Sequence, residues 1–434
     1  MVDLPALGEK VSASGHSVDT VLPSEFVVAA RVKCARFVPC WVAKRRWVVL
    51  RGSKSPILSV YRQDPRRLEP CAPLRMLLLG EDTRMRVVGH KRLVLVSSRV
   101  RKDDTLSLEF ETTEQRQLAL DMLSRWVALA VLLQRLSVHE SIAKSPNSAV
   151  YVCYDCNDPA KQFVLKRVHR ARCHDELRLT ARLMALSREN QELGRLLPQY
   201  SFLFEDNKAK CVTIVMKYYA GGSLAERIQD HGPLPEALAC NVLIALCRAL
   251  YLLHENHVLH LDVKASNIVF DDEQSRSGKF SNLKLVDFGS GACLDSSYNG
   301  STDTGISEKM ARAGTYGCMA PERFRGCCGP EADVYGAGIV LYHMLSGVIP
   351  FSGTDTYQLL ARNMLGDVNF DEKQWGLVSP QLKTLTAQML EKSPAKRIKF
   401  TEILSLPWLS REPEYIDVTM IAVENREPQI LSSK

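Results

Sequence analysis

His260-Leu261-Asp262-Val263-Lys264-Ala265-Ser266-Asn267 puts an acid, a cation and an amide on one short segment. An aspartate that accepts a hydroxyl proton needs a short, rigid loop to hold it. Lys264, two residues after Asp262, can neutralise charge on a transferred phosphoryl group. Asn267, five residues after Asp262, can reach a metal ion. Twenty residues beyond Asn267 comes Asp287-Phe288-Gly289, preceded by an apolar predicted strand, Leu283–Val286. Its carboxylate suits Mg²⁺, which takes oxygen ligands and keeps company with phosphate. Thirty-five residues after Asp287, Ala320-Pro321-Glu322 closes the following segment. Ala332-Asp333-Val334-Tyr335-Gly336-Ala337-Gly338 then opens an apolar helix, and Arg397 is the expected buried partner of Glu322.

Toward the N-terminus, Phe163-Val164-Leu165-Lys166 sets a lysine on a predicted strand, and Glu176 follows on a helical stretch near 174–188. Such a lysine holds the α- and β-phosphates of a nucleotide when a carboxylate keeps it aimed. Strand-like segments at 150–153, 163–168 and 212–217 precede mostly helical sequence to Trp408, an α+β order. Ser223-x-x-Glu226 is a capping box, and Leu238, Val242, Ala245, Ala249 and Leu252 form an apolar stripe on the next helix.

Each match alone is short; all of them in this order and context are specific. Residues 139–410 resemble a eukaryotic protein kinase catalytic domain, with a β-rich small lobe and an α-rich large lobe. The resemblance implies ATP and Mg²⁺ as cofactors and proteins bearing serine or threonine as substrates. It makes Asp262 the catalytic base, assisted by Lys264, with Lys166 and Glu176 as the nucleotide-positioning pair. Asn267 and Asp287 hold the metal, and Met216 is the gatekeeper beside Lys217 and Tyr219 at the adenine edge. Asp333 braces the catalytic loop, and Glu322–Arg397 ties the large lobe. Lys264, together with Gly314-Thr315, is the serine/threonine pattern.

The chain departs from the family in three places. Ala143-Lys144-Ser145-Pro146-Asn147-Ser148, followed by Ala149-Val150, aligns with the glycine-rich loop, and Ala143, Ser145 and Ser148 replace its glycines. Side chains there loosen phosphate coverage, and Pro146 removes an amide donor. Val164 stands where the family usually has alanine above the adenine. Leu261 replaces the arginine that often receives an activation-loop phosphate. The loop itself carries Ser296, Ser297, Ser301, Thr302, Thr304 and Ser307. These departures keep open an alternative, a pseudokinase scaffold.

The N-terminal part is different in kind. Residues 25–137 hold 22 Lys/Arg against 11 Asp/Glu, a balance of +11 within a chain of net +7. An anionic partner for this part alone follows. Residues 1–24 read as a disordered lead and 411–434 as a tail. Between 26 and 110, short β-branched runs at 26–32, 47–50, 57–61, 92–96 and 105–110 predict a small antiparallel barrel or sandwich. A helix opened by Thr112-x-x-Gln115, with Leu118, Met122, Leu129, Leu132 and Leu133 on one face, closes it. Residues 25–137 resemble a pleckstrin-homology domain, Trp126 matching its buried helix tryptophan and Lys44-Arg45-Arg46-Trp47 its second strand. The resemblance implies phosphoinositide or anionic-membrane contact through Lys33, Arg36, Lys44 and Arg46; a solvated basic face is the plain alternative. No aromatic platform interleaves the cations, so nucleic acid is not expected. No apolar run long enough for a transmembrane segment is read, and the 13 scattered cysteines form neither a disulfide framework nor a zinc set. The expected setting is cytoplasmic, peripheral at a membrane.

Overall fold

The computed structural model describes residues 25–34, 44–51, 57–61, 75–79, 82–97, 104–144, 148–169, 173–206, 211–271, 282–294, 314–353 and 355–409. The predicted lead 1–24, the tail beyond 410, Arg36, Ser145 and the activation-loop hydroxyls at 296–307 lie outside them. The chain divides into two compact units, 1–177 with 200–218, and 178–199 with 219–434.

The first unit begins with seven antiparallel strands. These are β1 (Glu25–Cys34), β2 (Lys44–Arg51), β3 (Ile57–Tyr61), β4 (Arg75–Leu78), β5 (Arg84–Val88), β6 (Arg92–Ser97) and β7 (Asp104–Glu109). Their order is β4-β3-β2-β1-β7-β6-β5. Where the sequence predicts a barrel or sandwich, the described ladder runs as one sheet with β4 and β5 at its ends. β4 and β5 are additional to the five predicted runs; basic residues such as Arg84 and Arg86 interrupt their apolar pattern.

Helix α1 (Thr113–Arg135) follows, its Thr112 hydroxyl accepting from the Gln115 amide at 3.1 Å while the Gln115 side chain accepts from the Glu111 amide. Of the predicted stripe, Leu129 is buried, and Met122, Leu132 and Leu133 pack partly buried against the same core. Leu118 is 44% exposed, whereas Ala119, Leu123, Trp126, Leu129 and Ala130 are buried. The reason is that α1 packs against β6 on one side and against a second sheet on the other, so apolar residues serve two faces. Each fully buried leucine there contributes about 1.5–3 kcal/mol.

That second sheet comprises β8 (Leu136–Lys144), β9 (Ser148–Asp155), β10 (Asp158–His169), β11 (Tyr200–Asp206) and β12 (Cys211–Lys217), in the order β11-β12-β10-β9-β8. α1 ends at Arg135 and β8 starts at Leu136, with no residue between them. Phe163, Leu165, Phe204, Val215 and Cys153 share one hydrophobic core with Trp126, Leu129 and the seven-stranded sheet.

The second unit is mostly helical. Helix α2 (Cys173–Glu189) enters it, followed by α3 (Gln191–Leu196), α4 (Leu224–His231) and α5 (Glu236–Glu255). The capping box at the start of α4 is present, with Ser223 and Glu226 satisfying each other's amides at 2.7 and 3.2 Å. Short ladders β13 (Val258–Leu259) with β16 (Ala292–Cys293), and β14 (Ile268–Phe270) with β15 (Leu283–Leu285), frame the catalytic-loop sequence. Helices α6 (Pro330–Ser346), α7 (Thr356–Leu365), α8 (Glu372–Trp375), α9 (Pro380–Met389) and α10 (Phe400–Leu404) complete the unit. α5 packs on α6 and α10, and α9 packs on α6. Although α1 and α5 have the length and hydropathy of a membrane span, each buries side chains in protein core.

Candidate active site

In the first unit, β10 is the strand that carries chemistry. Lys166 Nζ lies 2.6 Å from Glu176 Oε1, both side chains largely buried. Lys166 pairs in register with Val150 of β9 and Ile214 of β12, and Val164 pairs with Val152 and Met216. Side chains alternate along a strand, so Val150, Val164, Lys166 and Met216 share one face of the sheet. Ala143 pairs with Val150 near the end of β8, and Ser148 opens β9 opposite Val168. Lys217 pairs with Phe163, on the other face. The alternation thus separates the set that includes Lys166 from a core-facing set on the same three strands.

In the second unit, the loop 260–267 is clamped from several sides. Asp333 accepts the His260 amide at 2.9 Å and the Leu261 amide at 2.7 Å, and its Oδ2 lies 2.9 Å from His254 Nε2. Leu261 holds a φ of 63°, a left-handed conformation that costs a non-glycine residue about 1–2 kcal/mol. The two amide bonds and a bond donated by the Arg323 guanidinium to the Leu261 carbonyl hold it there. His260 Nδ1 accepts from the Asp262 amide at 3.2 Å, which leaves Nε2 as the protonated nitrogen donating to the Val286 carbonyl at 3.0 Å. The imidazole also packs on Phe288 at 4.6 Å between centroids.

Asp262 is 8% exposed, and its carboxylate is fully oriented. Oδ2 accepts from Lys264 Nζ at 2.7 Å and from the Asn267 amide at 3.2 Å, while Oδ1 accepts from the Thr315 backbone at 3.0 Å. Lys264 also donates to Thr315 Oγ1 at 2.7 Å. Gly314, at φ 129°, passes so close that a Cβ would meet the Leu261 carbonyl at 3.1 Å. The Asn267 Nδ2 donates to the Asp262 carbonyl at 2.8 Å, which directs its Oδ1 away from the loop. Asn267 further accepts the Val286 amide on its own carbonyl at 2.8 Å, tying it to the residue before Asp287. Asp287 stands at φ 60°, its Oδ1 accepting from the Gly289 amide at 3.4 Å. An amide oxygen and a carboxylate are hard donors that fit Mg²⁺, whose remaining positions go to phosphate and water.

The protein kinase domain family matches residues 136–409. The chain belongs to the protein kinase family. Members of that family use ATP and Mg²⁺, in keeping with the donor set of Asn267 and Asp287. This kinase is 33% identical over 209 residues to calcium-dependent protein kinase 22 of Oryza sativa subsp. japonica, covering 48% of the chain and 34% of that protein. It is 30% identical over 260 residues to calcium-dependent protein kinase 24 of Arabidopsis thaliana, covering 57% and 40%. Calcium-dependent protein kinase 3 of Plasmodium berghei (strain Anka) is 30% identical over 210 residues, covering 48% and 35%. The chain thus spans well under half the length of these relatives.

Glu322 and Arg397 of the kinase meet as a buried bidentate pair at 2.6 and 2.9 Å. Tyr219 lies in the second unit, its hydroxyl accepting from the Gln199 amide at 2.8 Å and pushed up to about 12 by burial. Lys33 pairs in backbone register with Ser107, Lys44 with Val32 and Arg46 with Ala30. Sequence reasoning passed over Arg323, His254 and the hydroxyl of Thr315. A charge directly after Glu322 was the available sign for Arg323, which is only 2% exposed.

Proposed function

We propose that the chain is an ATP- and Mg²⁺-dependent protein serine/threonine kinase. The observation that carries this reading is the Asp262–Lys264–Thr315 constellation, a carboxylate held by a cation that is itself held by a threonine hydroxyl. MgATP, when bound, supplies the γ-phosphoryl group. Asp262 accepts the proton of a substrate serine or threonine hydroxyl as the oxygen attacks. Lys264 offsets the charge that develops on the transferred group. Lys166, aimed by Glu176, binds the α- and β-phosphates, and Asn267 with Asp287 orients the metal. On this reading the sequence aligned with the glycine-rich loop, with Ala143, Ser145 and Ser148 in place of its glycines and Val150 after it, contacts the phosphates, and Met216, Lys217 and Tyr219 contact the adenine.

The test is γ-phosphate transfer to a generic basic protein by wild type, Lys166→Met and Asp262→Asn, with phosphoamino-acid analysis. Loss of about 10³-fold or more in both folded variants is expected. A wild type that transfers nothing yet still binds partners points instead to a pseudokinase scaffold, the reading favoured by the missing glycines at 143, 145 and 148.

We further propose that residues 25–137 act as a pleckstrin-homology-like module preceding a catalytic domain at 139–410. Seven antiparallel strands followed by one helix with Trp126 buried support it. On this reading Lys33, Arg36, Lys44 and Arg46 bind a phosphoinositide headgroup and recruit a cytoplasmic kinase to anionic membrane. Vesicle sedimentation with Lys44→Ala/Arg46→Ala tests it.

A further inference from the structure

We propose that α1 is a buttress for nucleotide binding, with Trp126 as a positioning residue that sets where β10 holds Lys166. This rests on the kinase reading above and goes beyond it, because it makes the N-terminal seven-stranded part a working component of the small lobe.

The argument starts from strand alternation. On β10, Lys166 and Val164 share one face while Phe163 and Leu165 share the other. Phe163 and Leu165 are 6% and 7% exposed, and what buries them is a core containing Leu123, Trp126 and Leu129 of α1 together with Phe204 and Val215. The indole of Trp126 stands edge-on to Phe204, 6.1 Å between centroids at 70°. α1 touches β6 of the first sheet and β9 of the second. Its last turn then passes into β8 without a spacer. The Leu136 amide donates to the Leu132 carbonyl, and the Cys156 amide donates to the Arg135 carbonyl at 2.9 Å.

Close-packed interiors transmit a displacement instead of absorbing it. A shift of α1 therefore moves the back of β10, and Lys166 sits on the front of the same strand. Trp126 is 0% exposed, yet its Nε1 finds no hydrogen-bond partner among the described residues. The ring is kept for its shape. Phenylalanine supplies most of that shape and removes the unpartnered N–H; alanine supplies neither.

The experiment uses the full chain as wild type, Trp126→Ala and Trp126→Phe, each checked for folding by near-UV circular dichroism. Two readouts are taken: KM for ATP against kcat, and amide hydrogen exchange across 163–168 without nucleotide. Trp126→Ala is expected to raise KM about tenfold with kcat within about threefold. Exchange in β10 is expected to rise by about a hundredfold. Trp126→Phe should return both to within about twofold of wild type. If Trp126→Ala does not fold, Trp126→Leu takes its place with the same readouts. A folded variant with unchanged KM, a loss confined to kcat, or unaltered β10 exchange overturns the proposal. A wild type that neither binds nor turns over MgATP overturns the kinase reading instead, and the exchange data still decide whether α1 governs β10.

Discussion

Asp333 shows how much one buried carboxylate can organise. Burial alone would raise its pKa, but the His254 bond and charge, with His260 and its amide, hold it below the usual carboxylate value of 3.8. A depressed carboxylate adds stability above its unfolded pKa and loses it as pH falls through the folded one. Asp333→Asn is therefore expected to cost about 2 kcal/mol at neutral pH. In urea titrations the gap to wild type should narrow as pH falls below about 4. Because the same carboxylate holds the amides of His260 and Leu261, kcat should fall by about 10²-fold. A gap independent of pH down to 3 would place the effect elsewhere. At this scale the sequence was informative where a side chain's chemistry is local. The Lys166–Glu176 pair was expected from a strand lysine and a helix glutamate, and the two atoms lie 2.6 Å apart. Arg323 was not readable, because its bond to the Leu261 carbonyl joins residues 62 apart and depends on how the intervening chain folds back.

Among elements, α5 has an ending that its sequence does not favour. Asn256 caps the helix and His257 follows in the left-handed region at φ 58°, exposed, donating its amide to the His254 carbonyl at 2.9 Å. Glycine is the usual residue there. His257→Gly removes a steric cost, offset in part by the greater entropy of the unfolded chain. A net gain of about 0.5–1 kcal/mol is expected, read as a rise in melting temperature; an unchanged or lower temperature refutes it. Strands 57–61 and 163–168 were legible because β-branched and aromatic residues cluster between turn signals. β8 was not, since His139 through Lys144 are exposed and carry polar residues of an edge strand. On α1 the expected stripe holds at Met122, Leu129, Leu132 and Leu133 and the expected buried tryptophan at Trp126. Leu118 is exposed, because a helix covered on two sides has no single apolar stripe.

The molecule as a whole distributes its charge unevenly, +11 over residues 25–137 against +7 for the full chain. Cations near an anionic bilayer contribute about 1 kcal/mol each, and the attraction fades beyond roughly 8 Å at physiological salt. Sedimentation with phosphatidylserine vesicles should therefore weaken steadily as salt rises. Vesicles carrying a phosphoinositide should retain binding that Lys44→Ala/Arg46→Ala lowers about tenfold. Equal loss on both vesicle types would leave only a soluble basic face. The family match covers residues 136–409 and starts where Arg135 and Leu136 pass from helix to strand with nothing between them. That seamless passage also bears on inheritance. A recombination breakpoint between 113 and 144 would split that shared apolar interior between two descendant genes, leaving each with a greasy face to cover anew.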